Sequence, residues 1–214
     1  MLFKNKKPKI FSIGLNKTGT TTLEKILKDF NYKLGNQIRG ELLFNDWYRR
    51  DFKSTISLSK TADAFQDAPF SFPFTFIALD QYFPNSKFIL TVRDSPEQWY
   101  NSLIKFHSKL WADGINPPTS LDLKNAKYRY KGFAYEVHKL IFKTPDEDLY
   151  NKEILLDYYN NHNYQVIEYF RSRPEKLLVI NVSNDNDYLR LCEFLKKKPL
   201  HKTFPWENKT AQNK

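Results

Sequence analysis

Apolar residues recur along the chain in a fixed order: a short apolar run, a polar loop and then a helical pattern. The apolar runs cover residues 9–14, 88–92 and 177–182. After the first run, apolar positions follow the i, i+3, i+4, i+7 spacing of one helix face, and helical patterns also follow the other two. Three such units predict an α/β fold with three layers, in which helices flank a mostly parallel sheet.

Further segments fit or interrupt this order. Residues 62–65 form a weaker strand candidate that ends near Asp67, and residues 154–170 have the apolar positions of a long amphipathic helix. A helix start follows the second apolar run, because Ser95 is suited to an N-cap and Pro96 to the first helical position. Residues 111–150 break the order. We therefore expect residues 1–214 to form one domain, with an insertion at 111–150.

Composition narrows the class of protein. The 214 residues carry a formal net charge of +10, which indicates an anionic partner: a nucleic acid, a membrane surface or a phosphorylated small molecule. No apolar run approaches the roughly 20 residues that span a bilayer, so no membrane span is predicted. The basic N-terminus lacks the apolar stretch of a secretory signal, and we expect a cytoplasmic protein. The one cysteine, Cys192, has the helical apolar spacing of a core residue.

The loop after the first apolar run has the residue types of an anion-binding cradle. Residues 14–22 read Gly-Leu-Asn-Lys-Thr-Gly-Thr-Thr-Thr. At the carboxyl edge of a parallel sheet, such a loop presents the unpaired N–H groups of the next helix to a phosphate or sulfate. The nucleotide triphosphate loop, GxxxxGK[ST], has its lysine directly after the second glycine. Here Thr20 holds that place and the lysine is Lys17, so the match to an ATP or GTP loop is incomplete.

The same loop resembles the 5′-phosphosulfate loop of the sulfotransferases that use 3′-phosphoadenosine 5′-phosphosulfate (PAPS), whose pattern is P/N-K-T/S-G-T-T/S. The matching residues are Asn16, Lys17, Thr18, Gly19, Thr20 and Thr21. The family's second signature is a strand ending in an arginine before a helix with a serine, which together hold the 3′-phosphate. Arg93 and Ser102 match it at a spacing of nine residues, where the family usually has eight, and Asn101 is the alternative to Ser102.

The C-terminal sequence Phe-Pro-Trp-Glu-Asn, residues 204–208, resembles the FPxxN ending of a bacterial-type branch of that family. The resemblance implies a P-loop NTPase-like sulfotransferase fold with PAPS as the sulfate donor and 3′-phosphoadenosine 5′-phosphate (PAP) as its product. It adds Phe204 and Asn208 to the implied donor-binding residues. The resemblance is weakest at residues 35–60 and 111–150.

Sulfuryl transfer needs an aligned acceptor and stabilisation of the charge that builds on the leaving oxygen. We expect backbone N–H groups of residues 17–21 and the hydroxyls of Thr18, Thr20 and Thr21 to hold the phosphosulfate, and Lys17 to neutralise the bridging oxygen. We expect no metal, because no cluster with ligand spacing is found. Asp67 is the first choice for the base that takes the acceptor's proton, with a turn-capping role before Pro69 as the alternative.

Two other functions fit parts of the sequence. A P-loop kinase would share the scaffold but use ATP and magnesium, and the position of Lys17 and the Arg93 signature disfavour it. A non-catalytic basic module would bind nucleotides or nucleic acid, but no RNP-type, KH or zinc-finger pattern supports it, so no nucleic acid is expected. We expect structural roles for the four histidines: His107, His138, His162 and His201.

The acceptor itself is not identified by the sequence. It is expected to offer a hydroxyl or amine on a carbohydrate, a lipid, a peptide or a small metabolite. The insertion at 111–150 is a candidate lid that reads it, because variable loops above such a sheet carry specificity. An ordinary helical hairpin with a buried aromatic face is the alternative. The aromatic residues in question are Trp111, Tyr128, Tyr130, Phe133 and Tyr135.

Overall fold

The computed structural model describes residues 8–205, and its four strands form one sheet. The strands are β1 (Ile10–Ser12), β2 (Ala64–Phe65), β3 (Lys87–Thr91) and β4 (Leu177–Ile180). Their order is β2-β1-β3-β4, and every neighbouring pair is parallel. Because all strands run in one direction, the loops that follow them meet at one edge of the sheet.

Ten helices connect and cover these strands within the described residues. They are α1 (Thr20–Asp29), α2 (Gln37–Glu41), α3 (Phe44–Tyr48), α4 (Lys53–Ser59), α5 (Thr75–Tyr82), α6 (Pro96–Trp111), α7 (Ser120–Asn125), α8 (Phe133–Phe142), α9 (Lys152–Phe170) and α10 (Asp185–Leu195). The three predicted strand-loop-helix units are confirmed as β1-α1, β3-α6 and β4-α10. The weak strand candidate is confirmed as β2, and the predicted long helix as α9. No helix in residues 8–205 is both long and apolar enough to cross a membrane.

Both faces of the sheet are covered by apolar helix surfaces. Residues of α1 and α10, including Leu23 and Leu191, form one core with Ile10 and Ile89 of the strands. Residues of α5 and α9 form a second core on the other face, around Phe11, Phe88 and Leu90 of the strands. The alternation of strand side chains between two covered faces confirms the predicted three-layer α/β fold. Cys192 is buried in the first core, as its spacing predicts.

Residues 111–150 contain α7 and α8, which pack against the body of the molecule on two sides. Thr119 starts α7 with a capping box to Asp122. Leu123 of α7 belongs to a buried cluster with Leu103 of α6 and residues of α9. On the other side, the buried ring of Phe133 meets Phe44 of α3 edge to face, with ring centroids 5.4 Å apart. This segment, predicted to be an insertion, is therefore anchored in two hydrophobic clusters.

Candidate active site

Loops from neighbouring strands bring Lys17, Asp67 and Arg93 together at the carboxyl edge of the sheet. Lys17 follows β1, Asp67 follows β2 and Arg93 follows β3. The Nε–H of Arg93 donates a hydrogen bond of 2.7 Å to the carbonyl oxygen of Lys17. Lys17 and Asp67 are close enough for each charge to shift the pKa of the other. Residues 17, 67 and 93 of the sequence thus form one site.

Two glycines let the loop after β1 lie against the neighbouring strands. A Cβ on Gly14 would lie 2.1 Å from Oγ1 of Thr91 and 2.6 Å from its backbone nitrogen. A Cβ on Gly19 would lie 2.3 Å from Cγ2 of Val182, and the φ of Gly19 is +105°. Only glycine combines this close approach with a left-handed backbone at no steric cost. The loop is therefore seated directly on the ends of β3 and β4.

Buried hydrogen bonds of Thr18 fix the conformation of the loop. Its hydroxyl is 0% exposed and lies 2.5 Å from the carbonyl oxygen of Leu15, to which it donates. It also lies 2.5 Å from the Thr91 hydroxyl, which must donate because the Thr18 proton is already in use. The backbone N–H of Thr18 bonds to Leu15 as well. Thr18 therefore stabilises the loop. Its hydroxyl, which the sequence predicts to contact the sulfate donor, is hydrogen-bonded to Leu15 and Thr91 instead.

The first turn of α1 offers unpaired N–H groups at the same place. No side chain caps this helix, and it has no acidic residue in its first turn. The first N–H groups of a helix have no acceptor within it and face the positive end of the helix dipole. Thr21 is exposed there and Thr20 is buried. An anion at this end would receive hydrogen bonds that the protein leaves unmade.

Arg93 has a fixed backbone and a free guanidinium edge. Its N–H donates to the Tyr159 hydroxyl at 2.9 Å, and its Nε–H is used by Lys17. Among residues 8–205, its two terminal nitrogens have no hydrogen-bond partner. Burial lowers the pKa of Arg93, although arginine keeps its charge over the physiological range. The side chain is thus held half-buried with two nitrogens available for an anion.

One side of α6 faces the loop. The indole N–H of Trp99 donates 3.0 Å to the carbonyl oxygen of Asn16, and the Lys17 ammonium lies 3.7 Å from the ring centre of Phe106. On the helical wheel Ser102 lies about 60° from Trp99 and about 40° from Phe106, whereas Asn101 lies about 160° and 140° from them and is exposed. Helix geometry therefore places Ser102, rather than Asn101, on the side toward the loop.

The surroundings of Lys17 lower its pKa. Burial lowers its pKa, the positive charge of Arg93 lowers it further, and Asp67 raises it. The contact with the Phe106 ring favours the charged form. Among the described residues, the ammonium makes no hydrogen bond. All three of its N–H groups are thus available to a ligand oxygen.

The carboxylate of Asp67 is partly buried among polar side chains. Its Oδ2 accepts hydrogen bonds from the side-chain amides of Gln37 at 3.2 Å and Gln66 at 3.4 Å. Its Oδ1 is buried without a hydrogen bond of good geometry, although the Thr20 side chain is near enough to lower the pKa of the group. Burial is the largest effect and raises the pKa of Asp67 from 3.8 to about 6, with Glu41 contributing in the same direction.

The backbone is left-handed at both Lys17 and Asp67. Their φ angles are 67° and 55°, a region that costs a non-glycine residue about 1–2 kcal/mol. Both lie in loops that follow strands, whereas the other non-glycine residues with positive φ in the described chain lie beside helix ends. Those are Asn31, Arg50, Phe74, Lys143 and Lys196. Backbone strain of this kind is concentrated at functional sites.

Other predicted residues lie elsewhere. Phe204 is 2% exposed and packs against Tyr188 in the core, so this packing gives no support to a donor contact by its side chain. Asn208 lies outside the described residues. Three histidines are buried and bonded within the fold: His107 to the Tyr150 hydroxyl, and His138 and His162 to backbone carbonyls. In residues 8–205, no three His, Cys, Asp or Glu side chains form a group suited to a metal ion.

Several features of the site have no strong signal in the sequence. The Trp99 and Phe106 contacts were not predicted, although their seven-residue spacing on α6 would have placed them on one face with Ser102. The contacts of Gln37 and Glu41, which belong to the short α2 and lie beside Asp67, were not predicted either. Five-residue helices give too little periodicity to assign a face.

Comparison with known proteins agrees with this geometry. No curated protein matches the chain. The sulfotransferase domain family matches residues 9–213, which is nearly the entire chain and includes every loop of the site. The chain therefore belongs to the sulfotransferase domain family, whose members transfer sulfuryl groups.

Proposed function

We propose that the chain is a PAPS-dependent sulfotransferase in which residues 1–214 work as one domain. The observation that carries the proposal is the pairing of two anion sites: the uncapped start of α1 with Lys17, and the free guanidinium edge of Arg93 bonded to the same loop. A nucleotide with phosphate groups at both its 3′ and 5′ positions has charges that match two such sites. ATP has its phosphates in one chain and does not.

The residues present fit the donor. The uncapped N–H groups at the start of α1 and the exposed Thr21 hydroxyl would hold the 5′-phosphosulfate, and Lys17 would neutralise charge on its bridging oxygen. Arg93 and Ser102 are suited to the 3′-phosphate. Asn16 is exposed, and its carbonyl oxygen is held by Trp99. When bound, PAPS supplies the sulfuryl group and leaves as PAP.

Lys17 is proposed to stabilise the leaving oxygen. Its ammonium has no hydrogen-bond partner in the described residues, so it can turn from the Phe106 ring to an anionic oxygen. Arg93, which is hydrogen-bonded to the loop of Lys17, adds positive charge and lowers the pKa of Lys17. The lower pKa makes the Lys17 ammonium a stronger hydrogen-bond donor. Such electrostatic stabilisation is worth about 10²–10³ in rate for one donor.

Asp67 is proposed to accept the proton of the acceptor's hydroxyl or amine as its oxygen or nitrogen attacks sulfur. A general base works best when its pKa lies near the working pH, and the pKa of Asp67 is raised to about 6. Above that pH the carboxylate is ionised and ready to take a proton. The buried Oδ1 has no well-formed hydrogen bond, so it has lone pairs that are free to take the proton.

The insertion at 111–150 is proposed to help bind the acceptor. Tyr128 and Tyr130 are each 40% exposed, in a part of the chain that is otherwise anchored in the core. Burial is the main reason why the pKa of Tyr128 is raised, and the negative charge of Asp67 contributes in the same direction, so the two residues lie within electrostatic reach. Exposed aromatic rings near the base are suited to stacking on a sugar or other ring.

Transfer of labelled sulfate from PAPS to a panel of carbohydrates, lipids, peptides and small metabolites tests the proposal. We expect the wild type to label at least one acceptor. Lys17→Ala is expected to lower transfer by about 10²–10³ while retaining most PAP affinity. A matched control is Lys25→Ala, in α1 but outside the loop. A nucleotide kinase activity with ATP and magnesium, without any sulfate transfer, would contradict the proposal.

A further inference from the structure

A series of polar contacts between side chains connects the insertion to Asp67. Arg129 of the insertion forms an ion pair with Glu41 at the end of α2 through Nε and Oε2. The other oxygen of Glu41 accepts a hydrogen bond of 3.1 Å from the side-chain amide of Gln37. The same amide nitrogen donates 3.2 Å to Oδ2 of Asp67. Arg129, Glu41, Gln37 and Asp67 thus form one relay across residues far apart in sequence.

The middle of this relay is a buried charge. Glu41 is 7% exposed, and its carboxylate is reached by the side chains of Gln37, Arg129 and Tyr128, the last at 3.4 Å. A buried carboxylate is very unfavourable without such partners, and two of them come from the insertion. The burial of the Glu41 carboxylate therefore relies on partners that the insertion supplies.

The two hydrogens of the Gln37 amide divide between two carboxylates. One is directed at Glu41 and the other at Oδ2 of Asp67, which fixes the orientation of the Asp67 side chain. Oδ1 is left without a well-formed partner. Gln37 itself is exposed, so no requirement of core packing explains why it holds this position.

We propose that Glu41 is a positioning residue that couples the docked insertion to the base Asp67. This inference rests on the proposed function. Through Gln37, Glu41 fixes the orientation of the Asp67 carboxylate, and its negative charge favours proton uptake by Asp67. Arg129 moderates that charge. The insertion thereby influences the proton-accepting group as well as the acceptor.

The groups that face Asp67 come from four segments. Lys17 and Thr20 belong to the loop and the start of α1, Glu24 to the next turn of α1, Gln66 is its neighbour in sequence, and Gln37 and Glu41 belong to α2. Tyr128 of the insertion is also within electrostatic reach. Substitutions at Glu41 and Arg129 leave Lys17, Thr20 and Glu24 unchanged.

NMR titration of the Asp67 carboxyl carbon tests this inference without any activity assay. Asp67→Asn identifies the signal. Glu41→Gln is expected to lower the pKa of Asp67, because a nearby negative charge is removed. Arg129→Gln is expected to raise it, because the charge of Glu41 is no longer balanced. If the ion pair only stabilises the local structure, both variants loosen the packing around Asp67 and admit water. The pKa of Asp67 would then fall in both variants. That result would overturn the inference.

Two further variants keep the test decisive if Glu41→Gln folds poorly. Gln37→Leu alters an exposed residue, and it is expected to raise the pKa of Asp67 because the ionised form loses a hydrogen bond. An unchanged pKa would contradict the relay. Asp80→Asn removes another buried carboxylate, paired with Arg173 and Lys176 at the opposite edge of the sheet. It is expected to leave the pKa of Asp67 unchanged, and a shift equal to that of Glu41→Gln would indicate a general effect of instability.

Turnover of PAPS to PAP separates failure of the inference from failure of the proposed function. In Glu41→Gln the acidic limb of the rate profile is expected to move to lower pH, with unchanged PAP affinity. If the wild type turns over PAPS and this limb does not move, the role of Glu41 in catalysis is wrong. If the wild type shows no turnover with any acceptor, the proposed function fails, while the titrations still decide whether Glu41 and Asp67 are coupled.

Discussion

Arg93 donates a hydrogen bond of 2.7 Å from Nε to the carbonyl oxygen of Lys17, so the second anion site directly supports the loop of the first. Because Nε is used for the loop, only the terminal nitrogens of Arg93 remain for a ligand. The same side chain also lowers the pKa of Lys17. The two proposed phosphate sites are therefore mechanically and electrostatically linked.

Arg93→Ala is expected to weaken PAP binding by roughly 10–100-fold, the usual range for loss of hydrogen bonds to a charged group. Binding of adenosine 5′-phosphosulfate, which has no 3′-phosphate, should fall much less. Calorimetric titration with both nucleotides measures the difference. Arg171→Ala, which alters a largely exposed arginine of a surface ion pair, is the control. Equal losses for both nucleotides would show that Arg93 acts only through the loop.

Gly19→Ala tests the seating of the loop. The added methyl group would lie 2.3 Å from Val182 at a φ of +105°, so we expect a loss of about 1–3 kcal/mol in the free energy of unfolding and of most PAP affinity. Gly114→Ala is a matched control, because Gly114 also has a positive φ but nothing within 4 Å of its Cβ position. Chemical denaturation and PAP titration measure both effects. Wild-type PAP affinity in Gly19→Ala would contradict the described loop.

Asp67→Asn is expected to lower transfer by about 10²–10⁴ and to remove the acidic limb near pH 6 from the rate profile. It should also stabilise the protein at pH 8. The pKa of Asp67 is raised from 3.8 to about 6 in the folded state, so its favourable contribution is present below pH 3.8 and is lost as pH rises through 6.

The stability difference between Asp67→Asn and the wild type should be about 1–3 kcal/mol at pH 8 and vanish near pH 4. Urea denaturation at the two pH values measures it. The turn-capping role of Asp67 predicts the reverse, with the variant less stable at both. Such a result, together with an unchanged rate profile, would remove Asp67 as the base.

The buried histidines should make the protein sensitive to acid. Burial lowers the pKa of His162 and His138 to about 4 and of His107 to about 3, from 6.5. Each histidine stays neutral in the folded state. Their contribution to the free energy of unfolding is therefore full above pH 6.5 and is lost as the pH falls toward 4. Proton uptake by Asp67 in the folded state opposes this between pH 6 and 4.

We expect the free energy of unfolding to fall by at most about 4 kcal/mol per pH unit in that range, the limit for three protons. His162→Gln keeps a side-chain donor for the carbonyl oxygen of Ile13 and should reduce this slope by about one proton. Urea denaturation between pH 7 and 5 provides the measurement. A stability that does not change over this range would show that the histidines are not buried in neutral form.

The sequence predicts well those features that depend on local order. Arg93 comes at the end of an apolar run and Ser95 caps the next helix through the N–H of Gln98, as residue spacing indicates. The loop at residues 14–22 follows β1 for the same reason. Strand, loop and helix are adjacent in the chain, so their order alone places Lys17 and Arg93 at one edge of a parallel sheet.

Features that depend on distant contacts are not readable in this way. The Thr18 hydroxyl has the residue type of a ligand contact, but Thr91, far along the chain, determines that it is buried in the fold. Phe204 is likewise directed into the core by Tyr188. The link between Glu41 and Arg129 joins α2 to the insertion, and neither periodicity nor a motif predicts this contact.

Calorimetric titration of the wild-type protein with PAP, compared with ATP and magnesium, tests the central claim most directly. Two linked anion sites around Lys17 and Arg93 predict that PAP binds at least tenfold more tightly, a difference of about 1.4 kcal/mol. Tighter binding of ATP with magnesium, or no detectable binding of PAP, would contradict the assignment of this loop to a sulfate donor.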